Sequence, residues 1–108
     1  MSEPITFVCT AAPGVEDADG LCGEVLEALK TARPDLRFAA GTSATPAAHF
    51  TITRGNARGL GLEATWVDAG GARTVGKPLS VTFFDRGSDP ELRRNFYAAF
   101  LTENPIPF

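Results

Sequence analysis

The chain has a single histidine, two cysteines, one tryptophan and one methionine among its 108 residues. One histidine, His49, excludes a metal cluster built from several imidazoles, and any catalytic triad would have to use it. It sits between Ala48 and Phe50, and alternation places it on the outer face of a strand with Thr51, where a solvated imidazole is the default. Cations are few as well: ten Lys and Arg stand against thirteen Asp and Glu, for a net charge of -3 and a pI near 5.0. Such a balance supplies no field to attract nucleic acid or an anionic membrane, so neither is expected as a partner. Long apolar runs are absent too. Crossing a bilayer as a helix takes about twenty apolar residues, so no membrane span is expected. Met1 to Pro4 is acidic and Ile5 to Thr10 is too short for the apolar core of a signal peptide, so none is expected within this stretch.

Assembled chemistry is lacking. Gly71-Ala72-Arg73-Thr74-Val75-Gly76-Lys77-Pro78 approaches the phosphate-binding pattern GxxxxGK[ST], but Pro78 replaces the hydroxyl that would hold magnesium. The segment after Pro78 reads as a strand, whereas the motif needs a helix whose amino terminus faces the phosphates. None of Ser2, Ser43, Ser80 and Ser88 lies in a GxSxG elbow. Asp68 and Asp85 end strands, where a carboxylate normally serves a turn. No catalytic residue, metal or cofactor is therefore expected, and the chain leans away from being an enzyme. Arg54 and Arg58 flank one turn and are candidate anion contacts; a solvated surface is the plainer reading of such a pair.

What is present is alternation. From Ala47 to Arg86, three runs place apolar and polar residues in turn, the signature of half-buried strands whose successive side chains point to opposite faces. Phe50 and Ile52 share one face; so do Leu60, Leu62, Ala64 and Trp66; so do Val75, Leu79, Val81 and Phe83. The turns Arg54 to Gly59 and Asp68 to Gly71 carry hairpin signals. Gly76-Lys77-Pro78 interrupts the third run, and a bulge or bend is expected there because proline is tolerated in sheets only at edges or bulges.

Before this block, Ile5 to Thr10 reads as a first strand, with Ile5, Phe7 and Cys9 on one face. Leu21, Cys22, Val25, Leu26 and Leu29 then recur at helical spacing. Asp17 or Asp19 can cap this helix, Glu24 suits the positive end of its dipole, and Pro34 should stop it near Ala32 or Arg33. Leu36 to Ala39 is a possible short strand, and Gly41 to Pro46 a loop. Ser88 and Glu91 have capping-box spacing before a second helix carrying Leu92, Phe96, Ala99 and Phe100. The tail Ile106-Pro107-Phe108 has two apolar residues and should dock on the body.

The expectation is a single domain, 1–108, of the α+β class. It is a two-layer sandwich in the order β-α-β-β-β-β-α, with a mainly antiparallel sheet of four to five strands and two helices on one face. Cys9 on the inward face of the first strand and Cys22 on the helix stripe can meet where the helix starts across the sheet. A disulfide is favoured over two separate buried thiols, and it points to an oxidising compartment. On the sheet's other face, Val8, Thr65, Val67, Thr82 and Phe84 form a candidate interaction surface. That face is short of charge; either it is an exposed Thr-rich face, threonine being a good strand former, or its apolar residues mark a patch covered by a protein partner or a second copy.

Laid out this way, the chain resembles the small α+β domain of bacterial envelope proteins: the TolB amino-terminal domain and the CsgG and LpoB type lipoproteins. Ala47-Ala48-His49-Phe50-Thr51-Ile52 corresponds to that family's Ala-Asp-aromatic strand, with Ala48 where Asp is usual. Leu60 to Trp66 followed by Asp68-x-x-Gly71 corresponds to its amphipathic hairpin. The resemblance implies a periplasmic, non-catalytic binding or assembly module. The alternatives are a cytoplasmic protein, and a small-molecule (anion) binding protein or enzyme with a site between the helices and the Gly41 to Pro46 loop.

Overall fold

The computed structural model describes residues 4–41, 44–83 and 89–108. Its elements are β1 (Ile5–Ala11), α1 (Ala18–Ala32), β2 (Phe38–Ala40), β3 (Ala47–Asn56), β4 (Gly59–Val67), β5 (Arg73–Val75), β6 (Leu79–Thr82) and α2 (Pro90–Glu103). The sheet order is β2-β1-β3-β4, with β5 and β6 pairing successive parts of β4 along one edge. Both helices lie against the face that carries the apolar residues, which gives the expected two-layer α+β domain.

The sheet is mixed, a correction to the mainly antiparallel expectation. β1 runs parallel to both of its neighbours, β2 and β3, while β3, β4 and the β5–β6 edge are antiparallel. The reason is α1. A helix that crosses back along the sheet returns the chain to the end where β1 began, so β2 must start there and run the same way.

Two irregularities invert the phase of their strands. Between Thr65–Val75 and Leu62–Leu79, β4 advances three residues while its partner advances four. The extra residue falls in Gly76-Lys77-Pro78, at the expected bulge or bend. Because side chains alternate with period two, one added residue moves Val75 to the face opposite Leu79 and Val81. Val75 therefore does not share the inner face, as its spacing suggested; it is 78% exposed on the outer one. The second shift lies between Ile52 and Arg54 on β3. It turns Gly55 inward, where an added Cβ would collide with Leu21 on α1 and with Val15. Only glycine lets the helix approach that closely, and Glu16 N–H donates to the Gly55 carbonyl at 2.8 Å.

Phe50 is the centre of the core. Its ring meets those of Phe7, Trp66 and Phe100 at centroid distances of 5.9, 5.4 and 5.9 Å, so one side chain joins β1, β4 and α2. The tail docks as its composition suggested: Phe108 packs edge-on against Trp66, and Arg33 donates to the Ile106 carbonyl.

The helix ends depart in detail from the sequence reading. Asp17 holds the cap position of α1 but with φ of 53°, and its side chain makes no capping hydrogen bond. Asp89 caps α2, accepting from Glu91 N–H at 2.8 Å with Pro90 in the first turn. Ser88, the expected cap, lies outside the described residues. At the other end of α2, buried Asn104 acts as a surrogate strand for the bulge. Its Oδ1 accepts from Lys77 N–H at 2.6 Å, and its Nδ2 donates to the Lys77 and Phe100 carbonyls at 3.1 and 3.2 Å. Asn104→Ala is expected to cost about 1–3 kcal/mol, since three bonds are lost and polar backbone is left poorly paired. Asn104→Asp, which keeps the acceptor alone, should fall between the two in urea denaturation.

Candidate functional site

The outer face of the sheet, turned away from both helices, is built from rows set by strand register. Thr6, Ala47, Val67 and Arg73 form the first row; Val8, His49, Thr65 and Val75 the second; Thr10, Thr51 and Glu63 the third. Thr6, Ala47 and Val67 are buried, at 8%, 1% and 5% exposure. Gly41, at the start of the β2–β3 connection, lies against the Thr6 side chain. The second row is open and carries no fixed charge: Val8, His49 and Thr65 are half-buried, and Val75 is the exposed large hydrophobe among the described residues. In the third row the Thr10 and Thr51 hydroxyls adjoin at 3.2 Å.

Of the five residues expected to form one patch, the four that are described do not come together as one. Val8 and Thr65 share the second row, as their phase required. Val67 has the right phase but is buried, and so offers no contact area. Thr82 pairs Gly59, six residues along β4 from Thr65, about 20 Å at the rise of a strand. Phe84 lies outside the described residues. Val75 escapes the sequence reading, although the Gly76-Lys77-Pro78 interruption holds the signal: a bulge there reverses the phase of what precedes it.

The remaining candidates are dispersed. Arg54 lies on the outer face with its guanidinium over Gly59, while Arg58 is exposed in the turn. Neither makes an ion pair among the described residues. Asp68 serves its turn, accepting from Gly70 and Ala72 N–H at 2.8 and 2.9 Å. Gly71 to Pro78 is turn, strand and bulge, with no helix beginning at its end. No cluster of three or more metal-ligating side chains occurs among the described residues. No described helix is long and apolar enough to cross a membrane.

Cys9 and Cys22 are bonded, joining β1 to the second turn of α1. In the helical layer, α1 and α2 leave an open groove of ≈ 830 Å³ lined by Gly20, Gly23, Ala28, Arg94, Tyr97 and Leu101, among others. The Gly41 end of the β2–β3 connection lies against Thr6, on the outer side of the sheet; Thr42 and Ser43 of that loop lie outside the described residues.

Beside this groove the sequence concealed an ion-pair network. Glu24, expected to serve the helix dipole, instead accepts from Arg93 through both oxygens at 2.8 Å and from the Tyr97 hydroxyl at 2.7 Å. The Arg93 hydrogen bonds hold the Glu24 carboxyl below the usual carboxylate range against the opposing effect of burial, and Tyr97 adds to the lowering. Burial first, then the Glu24 contact, pushes the Tyr97 hydroxyl up. Glu24 thus contributes stability that is present above its ordinary value of 4.5 and lost as pH falls through its lower folded value. Tyr97 contributes stability that is lost as pH rises above 10.0, where an unfolded tyrosine ionises. In Glu24→Gln the acid loss of stability should be shallower than in the parent when melting is followed from neutral to acid pH. Asp35, lowered by its bonds to Arg33, leaves a residual slope.

Fold and face together define a two-layer α+β domain with a mixed sheet, one side closed by helices and the other open. The same architecture occurs in PelC from Paraburkholderia phytofirmans, solved as a dodecamer of a single-substitution variant. The structures agree with a TM-score of 0.69 at 14% identity, covering 96% of this chain and 88% of that one. No protein-family model matches the sequence, and no curated protein does.

Proposed function

We propose that this protein is a non-catalytic binding or assembly module of the cell envelope, working through the outer face of its sheet. The observation that carries the reading is the open row Val8, His49, Thr65 and Val75, with Val75 78% exposed. An exposed β-branched residue at the end of an uncharged row gains free energy when a protein surface covers it. The disulfide suits an oxidising compartment such as the periplasm, and the resemblance of the strand and hairpin segments to the TolB, CsgG and LpoB type domains implies the same. PelC, which has this architecture, was solved as an assembly of twelve copies, which supports association through a protein surface here.

The test replaces Val75 with a photoactivatable phenylalanine analogue in producing cells, with Thr102 on the groove side of α2 as the control. Adducts to a protein identified by mass spectrometry are expected from position 75 and not from position 102. Adducts from 102 alone, or from neither, would remove the outer-face reading. A second reading, small-molecule binding, has one observation in its favour, the groove between the helices. It requires that anionic or apolar probes raise the melting temperature and that Gly23→Leu, which fills the groove, abolish the rise.

A further inference from the structure

We propose that a second copy of this chain packs face to face on the open row, related by a twofold axis running along Val8, His49, Thr65 and Val75, and that His49 makes the contact acid-labile. This names the partner and its regulation at the face proposed above, and rests on that reading.

The flanks of the row set the symmetry. Glu63, paired with Thr51, lies on one side of it; Arg73, paired with Val67, lies on the other; both are exposed. They stand on adjacent strands, β4 and β5, which are about 5 Å apart. A twofold axis along the row reverses strand direction, so the acidic side of each copy faces the basic side of the other. Glu63 of one copy then meets Arg73 of the second, and the pair occurs twice. An axis parallel to the strands would keep each level facing itself, acidic side on acidic side. The row also tolerates the first operation: each residue near the axis meets its counterpart, and no fixed charge is buried. Stacked sheets lie about 10 Å apart, room for one layer of interdigitated side chains from each copy. The like-folded assembly of PelC copies supports a second copy as the occupant over an unrelated partner.

The pH dependence comes from the place of His49 in this row. Its outer-face neighbours are Val8 and Thr10 on β1, Thr51 on its own strand, and Glu63, Thr65 and Val67 on β4, with Arg73 and Val75 beyond on β5. Glu63 is the acid facing it, diagonally, and in the dimer that carboxylate is engaged by Arg73 of the second copy. Near the axis the two imidazoles approach each other. Protonation would place two like charges in a layer drained of water, which opposes association. Imidazole is the side chain of this row that can gain a proton in mild acid, so the dimer should hold at neutral pH and loosen in acid.

Sedimentation velocity of the oxidised full chain, over a concentration series at about pH 7.5 and about pH 5.5, reads these claims directly. A monomer–dimer equilibrium is expected, with a dissociation constant at least about tenfold weaker in acid. Val75→Asp should leave a monomer of unchanged melting temperature, since the residue is exposed. Glu63→Arg should weaken the dimer, and Glu63→Arg combined with Arg73→Glu should restore it. In His49→Gln the two pH values should give the same constant. Monomers throughout the series, a larger ring, or a dimer indifferent to Val75→Asp would overturn the proposal. A charge swap that fails to restore association would overturn the twofold axis, and an acid loss that survives His49→Gln would overturn the switch. Monomers combined with adducts to another protein at position 75 would remove the second copy while keeping the outer face.

Discussion

Phe50→Ala is expected to cost about 3–5 kcal/mol, the range for an aromatic truncated in a packed core. The side chain is 2% exposed and its ring touches rings from β1, β4 and α2. Removing it opens a void where the sheet and α2 meet, and neighbours held by two strands and a helix can collapse into it only partly. A domain of this size has about 5–15 kcal/mol of stability in all, so the variant should sit near the edge of folding. Urea denaturation gives the check: a lower midpoint with an unchanged slope. Phe50→Leu, which keeps most of the volume, should lose much less. A loss below about 1 kcal/mol for the alanine variant would mean that the ring cluster is not the centre of the core.

Reduction of the Cys9–Cys22 bridge is expected to lower stability by about 3 kcal/mol, the chain-entropy value for the 14-residue loop it closes. The bridge ties β1, at the middle of the parallel part of the sheet, to the start of α1, so an open loop also frees the segment that carries the crossover. For a chain of about 100 residues this corresponds to a melting temperature lower by about 12–24 °C. Melting with and without reductant measures the shift, and Cys9→Ala with Cys22→Ala should reproduce the reduced value without added thiol. A shift of only about 2 °C would show that the unfolded chain gains little from opening the loop. In a reducing compartment the protein would keep a much thinner margin, which is why the bridge bears on where it works.

Several features of the fold were legible because they are local. The alternation from Ala47 to Trp66 marks strands, Pro34 sets the end of α1, and the apolar tail docks. The cysteine phases brought Cys9 and Cys22 together because each sat on the inward side of its own element. The candidate surface was legible only in part. Val8 and Thr65 lie on the outer row, but the place of Val75 depended on one inserted residue at Gly76-Lys77-Pro78. Glu24 looked like a dipole partner of its own helix, and Asn104 like a fraying end; each pairs with a residue far away in sequence, Arg93 and Lys77.

By itself, then, the sequence determined which segments are strand or helix and which faces seek the core, since period and turn chemistry act within a few residues. Tertiary structure decided strand direction, the burial of Val67 and the exposure of Val75. Alternation records that a side chain changes face at each step. It carries no record of which neighbour the strand pairs with, where that pairing slips by one, or what covers the face afterwards.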